Sequence, residues 1–254
     1  MNKLSVAIIT KNEENNIMRC LKSVSWVDEV VIVDSGSTDK TIEKCNEYNC
    51  KVIESEWLGF GKTKQLAVDN CKNYWVLVLD ADEEISESLK VKIEEILINP
   101  KHSGYRIKRN SFYLGKMIKY CGWDKDYTLR LFDKNKGKFN DKLVHESVKI
   151  EDENIGIIKE VMLHYTYPSI SLHMSKIKMY SELGAKDLIK KGHSSCIANA
   201  VLRGILKFFK MYFIKLGILD GKIGFILCVN SSFGVYLKYL KLWELHNSKS
   251  NEKY

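Results

Sequence analysis

Through the first eighty residues, apolar runs of strand length alternate with stretches whose apolar positions follow a helical period. Residues 4–9 form a short β-prone run, and residues 13–24 place Ile17, Cys20, Leu21 and Val24 on one helical face. Residues 29–33 predict a second strand, closed by Asp34-Ser35-Gly36-Ser37-Thr38-Asp39. That hexad combines turn formers with an N-cap candidate ahead of a helix to about residue 48. A third strand at 51–53, a loop around Trp57-Leu58-Gly59-Phe60-Gly61, a helix at 62–70 and a fourth strand at 74–79 follow. Such alternation predicts a parallel sheet of the nucleotide-binding type.

Polar residues cluster where these strands end: Thr10, Asn12 and Glu13; Asp34 and Asp39; Asp80 and Asp82. In a parallel sheet those clusters converge on one edge, beyond the carboxyl ends of the strands, where open α/β sheets bind ligands. Asp80 and Asp82 are two apart and can lean to the same side of the strand end. Two hard oxygen ligands there suit Mg²⁺ or Mn²⁺ carrying a diphosphate. Acidic residues also gather at helix N-termini to cap free N–H groups, and Glu83, Glu84 and Ser86 fit that simpler role. Neither a Gly-x-Gly-x-x-Gly nor a P-loop motif is present, so phosphate would be handled by the metal with help from Lys62 or Lys64.

From about residue 171 the chain reads as helical. Residues 201–216 are largely apolar but interrupted by Arg203, Lys207, Lys210 and Lys215, and residues 235–245 repeat this with Lys238 and Lys241. Neither segment offers the roughly 20 uninterrupted apolar residues of a bilayer span. Residues 200–254 hold nine Lys/Arg against three Asp/Glu, which supplies most of the chain's net +8. Lysines beside Phe208, Phe209, Tyr212, Phe213, Tyr236 and Trp243 suit helices lying in an anionic membrane interface, or a helical subdomain that packs its apolar face and keeps lysines in water. Because the lysines lie within apolar helices and form no polar stripe, no nucleic-acid partner is expected. Seven scattered cysteines without a C-x-x-C pair argue against zinc and against a secreted disulfide frame. No signal peptide is read at the N-terminus.

The first half resembles family 2 glycosyltransferases of the GT-A fold. Val6-Ala7-Ile8-Ile9-Thr10-Lys11-Asn12-Glu13-Glu14 is similar to their opening strand and nucleotide loop, Val31-Ile32-Val33-Asp34-Ser35-Gly36-Ser37-Thr38-Asp39 to their base-binding turn, and Asp80-Ala81-Asp82 to their metal motif. Further segments resemble the subgroup of lipopolysaccharide-core β-1,4-glucosyltransferases, which act on the inner-core heptose. These are Gly59-Phe60-Gly61-Lys62-Thr63-Lys64-Gln65, Leu129-Arg130-Leu131-Phe132, Val144-His145-Glu146, Leu163-His164-Tyr165 and Gly217-Ile218-Leu219-Asp220-Gly221. Gln65 departs from the asparagine expected there.

The resemblance implies an α/β fold: a GT-A (Rossmann-like nucleotide-diphospho-sugar transferase) domain over residues 1–170, with a C-terminal helical, basic extension over 171–254 that associates with a membrane. It implies a UDP-sugar donor, most simply UDP-glucose, a divalent Mg or Mn ion, and inverting, direct displacement. Asp34 would accept from the uracil, Thr10, Asn12 and Glu13 would line the nucleoside pocket, Asp39 would support the loop and Lys64 the phosphates. Asp80 would lie near ribose and metal, Asp82 would be the direct metal ligand, and His145 or His164 would add a further one. The base that takes the acceptor proton would be Glu146, with Asp126 as competitor. The acceptor would be a glycolipid, a lipopolysaccharide or lipooligosaccharide inner-core heptose or a related glycan, or alternatively another lipid-linked or protein acceptor. The expected location is cytoplasmic, peripheral at the cytoplasmic face of the inner membrane. A sugar nucleotidyltransferase is the rival enzyme class, although it would need a glycine- and lysine-rich loop where Thr10-Lys11-Asn12-Glu13-Glu14 stands.

Overall fold

The computed structural model describes residues 2–140 and 147–251. It divides into two compact units, one of Met1–Asn110 with Lys125–His164, the other of Ser111–Asp124 with Tyr165–Tyr254. The second unit thus takes in the helical stretch expected from residue 171, together with residues 165–170 and the segment 111–124.

The first unit opens with the expected alternation: β1 (Leu4–Thr10), α1 (Ile17–Ser23), β2 (Glu29–Asp34), α2 (Thr41–Glu47), β3 (Lys51–Glu54), α3 (Phe60–Asp69) and β4 (Trp75–Asp80). It continues with β5 (Glu83–Ile85), α4 (Glu87–Ile98), β6 (Gly104–Tyr113), a two-residue β7 (Lys116–Met117), β8 (Tyr127–Asp133), β9 (Gly137–Phe139), β10 (Val148–Ile150) and β11 (Ile155–Tyr167). β7 and the last residues of β6 and β11 belong to the second unit. The strand order is β3-β2-β1-β4-β8-β6-β11-β5, and β9 pairs with β10 apart from it. Pairing is parallel from β3 to β4 and turns antiparallel where β4 meets β8.

All seven residues of β1 are buried, as a central strand covered on both faces requires. Alternate side chains still part to opposite faces. Leu4, Val6 and Ile8 join Ile32, Leu77 and Leu79 against Ile17 and Leu21 of α1 and Leu89, Ile93 and Leu97 of α4. Ala7 and Ile9 join Val31, Val33, Val76 and Val78 against Ala67 and Val68 of α3. The sheet is therefore held from both sides, and its carboxyl edge is a fixed platform.

In the second unit, α5 (Ile170–Lys190) and α6 (Ile197–Phe209) precede a π-helical turn at Lys210–Ile214, a 3-10 turn at Gly217–Asp220 and the long α7 (Gly221–Asn251). Tyr113, Ile118, Cys121, Met211, Leu227 and Cys228 form its core. Gly217 lies inside it, where a Cβ would stand 2.8 Å from the Met211 carbonyl and 2.9 Å from the Cys121 and Cys228 sulfurs. The carboxylate of Asp220, 2 % exposed, accepts from the backbone N–H groups of Lys119 (3.2 Å) and Tyr120 (2.9 Å). The segment Gly217-Ile218-Leu219-Asp220-Gly221 thus folds as a structural clasp. Residues 201–216 fall in α6 and the turn after it, and residues 235–245 fall within one helical stretch, Gly217–Asn247, that is long and apolar enough by length and composition to cross a membrane.

Candidate active site

The parallel register sets Thr10 beside Asp34 and Ile9 beside Asp80, so the three polar strand exits do meet along one edge. The loops after β1 and β2 are laced together there. Asn12, at φ 54°, donates its backbone N–H to the Ser37 hydroxyl (2.8 Å) and accepts at Oδ1 from Thr38 N–H (2.7 Å). Glu13 N–H donates to Thr41 Oγ1 at 2.8 Å. Asp39 accepts from the N–H groups of Glu14 (3.1 Å) and Thr41 (3.0 Å) and from the Thr41 hydroxyl. Burial pushes the Asp39 carboxyl up, but the hydrogen bonds from Thr41 and Glu14 outweigh it and hold it below its ordinary value.

Asp34 is fully buried, and its carboxylate accepts from Gly36 N–H (2.9 Å), Ser37 N–H (2.8 Å) and the Ser37 hydroxyl. It ties its own turn and presents no surface to a base in this conformation. At the same edge the hydroxyls of Thr10 and Ser35, both residues 5 % exposed, are buried without a hydrogen-bond partner among the described residues. A buried hydroxyl left unpaired costs about 1–3 kcal/mol, so such atoms are candidates for a missing ligand.

At the end of β4 the geometry is a chain of alternating charge. Lys64 Nζ lies 2.8 Å from Asp80 Oδ1, and Arg130 Nη2 lies 2.7 Å from both Asp80 Oδ2 and Glu83 Oε1. Arg109 Nη1 lies 3.1 Å from Glu83 Oε1, and Arg109 Nη2 lies 2.7 Å from Asp126 Oδ2. Glu83 also accepts from the backbone N–H of Asp80 at 2.9 Å, which closes the Asp80-Ala81-Asp82 turn. Burial would push the Asp80 carboxyl up; Arg130 and then Lys64 overcome it and hold Asp80 well below the usual carboxylate range. Asp80 is therefore an anion bound to two cations.

Asp82 stands apart from that chain, with Oδ2 3.5 Å from Nε2 of His164. The antiparallel pairing of β11 with β5, His164 opposite Glu83, brings the imidazole there. A carboxylate oxygen and an imidazole nitrogen at that separation can share one divalent ion, and Mg²⁺ or Mn²⁺ normally fills its remaining positions with water and substrate phosphate. The donor set fits such an ion as a two-residue site. No group of three His, Cys, Asp or Glu suited to a metal is found among the described residues.

The structure thus gathers Thr10, Asn12, Glu13, Asp34, Asp39, Lys64, Asp80, Asp82, Asp126 and His164 in one unit. Lys64 is engaged by Asp80, and Asp126 by Arg109. His145 and Glu146 lie outside the described residues. Gln65 donates to Asp69 Oδ1 (2.6 Å) and accepts from Phe139 N–H (2.8 Å), so its amide links α3 to β9. Ser86 does cap α4, accepting from Leu89 N–H at 3.3 Å. Glu83 does not cap: it is a buried strand residue, because its partners Arg109 and Arg130 reach it from β6 and β8. Glu83 and Arg109 were not legible as site residues, since their partners lie far along the chain, and the small Ser35 carried no signal of its own.

The sequence matches the family Glycosyl transferase family 2 over residues 5–145. The chain belongs to glycosyltransferase family 2, and its sheet with flanking helices is the GT-A fold; it is a glycosyltransferase. It is 33 % identical over 263 residues to an uncharacterized glycosyltransferase of Rickettsia typhi, covering 99 % of this chain and 90 % of that one. It is 27 % identical to the lipopolysaccharide core biosynthesis glycosyltransferase LpsC of Rhizobium meliloti, covering 97 % of this chain and 94 % of that one. Among solved structures it is similar to Staphylococcus aureus TarS 1-349 in complex with UDP-GlcNAc, at a TM-score of 0.49, 15 % identity, and coverage of 97 % and 92 %.

Proposed function

We propose that the chain transfers a sugar, in the first instance glucose, from a UDP-sugar to an inner-core heptose of lipopolysaccharide or lipooligosaccharide, or to a related cell-surface glycan, with inversion. The observation that carries this reading is the Asp82–His164 pair beside the cation-bound Asp80 at the strand edge. In this reading Asp82 and His164 hold the divalent ion, which when bound draws off charge from the departing diphosphate. Thr10 and Ser35 offer the two unpaired hydroxyls to the nucleoside. Asn12, Asp34 and Asp39 act by fixing the two loops that present them. Lys64 and Arg130 keep Asp80 charged and Glu83 keeps the turn rigid, so that Asp82 is preorganised. Glu146 is our choice for the base that takes the acceptor proton, because Asp126 Oδ2 is already held by Arg109 at 2.7 Å.

The likeness to LpsC supports a glycolipid acceptor, and with it a peripheral position at the cytoplasmic face of the inner membrane. We assign the reaction to the first unit and membrane contact to the second. The test is a screen of UDP-sugars against truncated lipopolysaccharide cores, read by mass. UDP release with a core that gains one hexose is the expected outcome. A hexose added only to another lipid-linked or a protein acceptor would replace the proposed acceptor, and pyrophosphate release would overturn the reaction itself.

A further inference from the structure

In water a helix turns its large apolar side chains toward the protein and its charged ones outward. Helix α6 instead turns large apolar side chains outward and buries small residues. Its buried residues are Ala200 and Gly204, four apart, and α7 lies against them. A Cβ at Gly204 would stand 3.1 Å from the Tyr236 Cβ, and the Ser232 hydroxyl donates to the Gly204 carbonyl at 2.9 Å. Val201, Leu202, Ile205, Leu206 and Phe209 remain 43–57 % exposed on the other side. Phe213 and Ile214, exposed in the following turn, add to the unpartnered apolar surface. Helices meeting through small residues with leucine outward follow the packing rule of lipid, where acyl chains are as apolar as leucine itself.

Charge selects which lipid. Residues 197–243 carry seven Lys/Arg and one acid, Asp220, and that acid is buried. Lys210, Lys215 and Lys222 are exposed beside the apolar turns. Between Lys222 and Lys238 of α7 lie 15 uncharged residues, Asn230, Ser231 and Ser232 among them. At about 1.5 Å per residue they reach about 22 Å, short of the roughly 30 Å hydrocarbon core. The length and composition of α7 would permit a crossing, but its uncharged run is too short to fill the hydrocarbon core, and the apolar face of α6 favours a surface that lies in the membrane plane.

We propose that α6 and the turns after it insert in the plane of an anionic bilayer, with Leu202, Ile205, Leu206 and Phe209 among the acyl chains and Lys210, Lys215 and Lys222 at the headgroup phosphates. The inference rests on the peripheral-membrane part of the proposal above, and is independent of donor and acceptor.

The test is co-sedimentation of the full chain with phosphatidylglycerol/phosphatidylethanolamine vesicles and with phosphatidylcholine vesicles, beside a UDP-binding measurement. Binding to the anionic vesicles is expected, weakened at least tenfold by Leu202→Asp with Leu206→Asp. A weakening of about 10- to 30-fold is expected for Lys210→Gln with Lys215→Gln, exposed positions at which folding is not at risk. UDP binding should be unchanged in both variants. Equal binding to phosphatidylcholine overturns the charge part. A dimer that the aspartates dissolve, without vesicle binding, overturns the whole and assigns the face to a second copy. Segments protected or exposed on both sides of sealed vesicles would show a crossing and overturn in-plane insertion. Absence of UDP binding by the unaltered chain would sink the donor reading and leave this one standing.

Discussion

Strand β1 buries every one of its seven residues, whereas helix α6, with 13, buries only Ala200 and Gly204. The contrast extends to the two units. Of the large apolar residues exposed among those described, six belong to the first unit, scattered from Trp57 to Ile157, and nineteen to the second. Isolated exposed apolar residues are ordinary on a soluble surface; a concentration of that size marks a partner. The first unit is organised by water's rejection of apolar groups, and pairs its buried charges with one another. The second has a core of its own around Tyr113 and Leu227, but its helix α6 keeps its contacts small and its bulk outside, in keeping with the membrane contact proposed for it.

Asp82→Ala breaks the comparison most sharply: transfer, followed by UDP release, should fall by about 10³-fold or more, while vesicle binding stays unchanged. A loss of both would tie the two units to one property. Glu83→Ala should cost about 3–5 kcal/mol of stability, because it strands Arg109 and Arg130 in a buried site, and a thermal melt should drop by about 10 °C. A drop within about 0.5 kcal/mol would show that water reaches the charge chain.

The second unit has its own titration. His173 is 4 % exposed, its Nδ1 is 3.0 Å from the Tyr113 hydroxyl, and the Tyr167 ring stacks on it at 4.3 Å. Burial first, and Lys176 second, push its pKa down to about 4 from 6.5. The unfolded chain therefore takes up a proton before the folded one does. Its contribution is complete above pH 6.5 and is lost as pH falls toward 4, by up to about 3 kcal/mol. Urea unfolding at pH 7 and pH 4.5 should show this, and His173→Phe should flatten it. The smallest effect sharpens the contrast: Ile98→Ser and Leu202→Ser should each alter stability by no more than about 0.5 kcal/mol, and only the second should weaken vesicle binding.

The strand-helix alternation up to Asp80 was readable because β1, β2 and β4 are apolar runs of strand length ended by turn formers, a pattern fixed within a few residues. Thr10, Asp34, Asp80 and Asp82 were readable for the same reason, as polar groups at strand ends. Glu83 was misread because its role depends on Arg109, 26 residues away, and Arg130, 47 away, which no local pattern announces. Asp34 was expected at the ligand and proves to be occupied with backbone N–H groups of its own turn, whereas Asp39, expected to support the loop, accepts from Thr41 N–H and from Glu14 N–H in the loop after β1. Ser35 was hidden by its small size. In the helical part the heavy basic charge was evident, but the outward turn of α6 was not, since composition does not say which face of a helix a neighbour covers.

Lys64, Asp80, Arg130, Glu83, Arg109 and Asp126 add up to no net charge, three of each sign in unbroken alternation. Evolution drifts with difficulty through such a set one position at a time, because neutral replacement of an inner member such as Glu83 or Arg130 leaves its buried partners short of a counter-charge. Replacements there should come as opposite-sign couples: a descendant that has lost Arg109 should also have lost Asp126 or Glu83. Comparing lineages would reveal these six positions as a co-inherited block, even where the surrounding sequence has diverged.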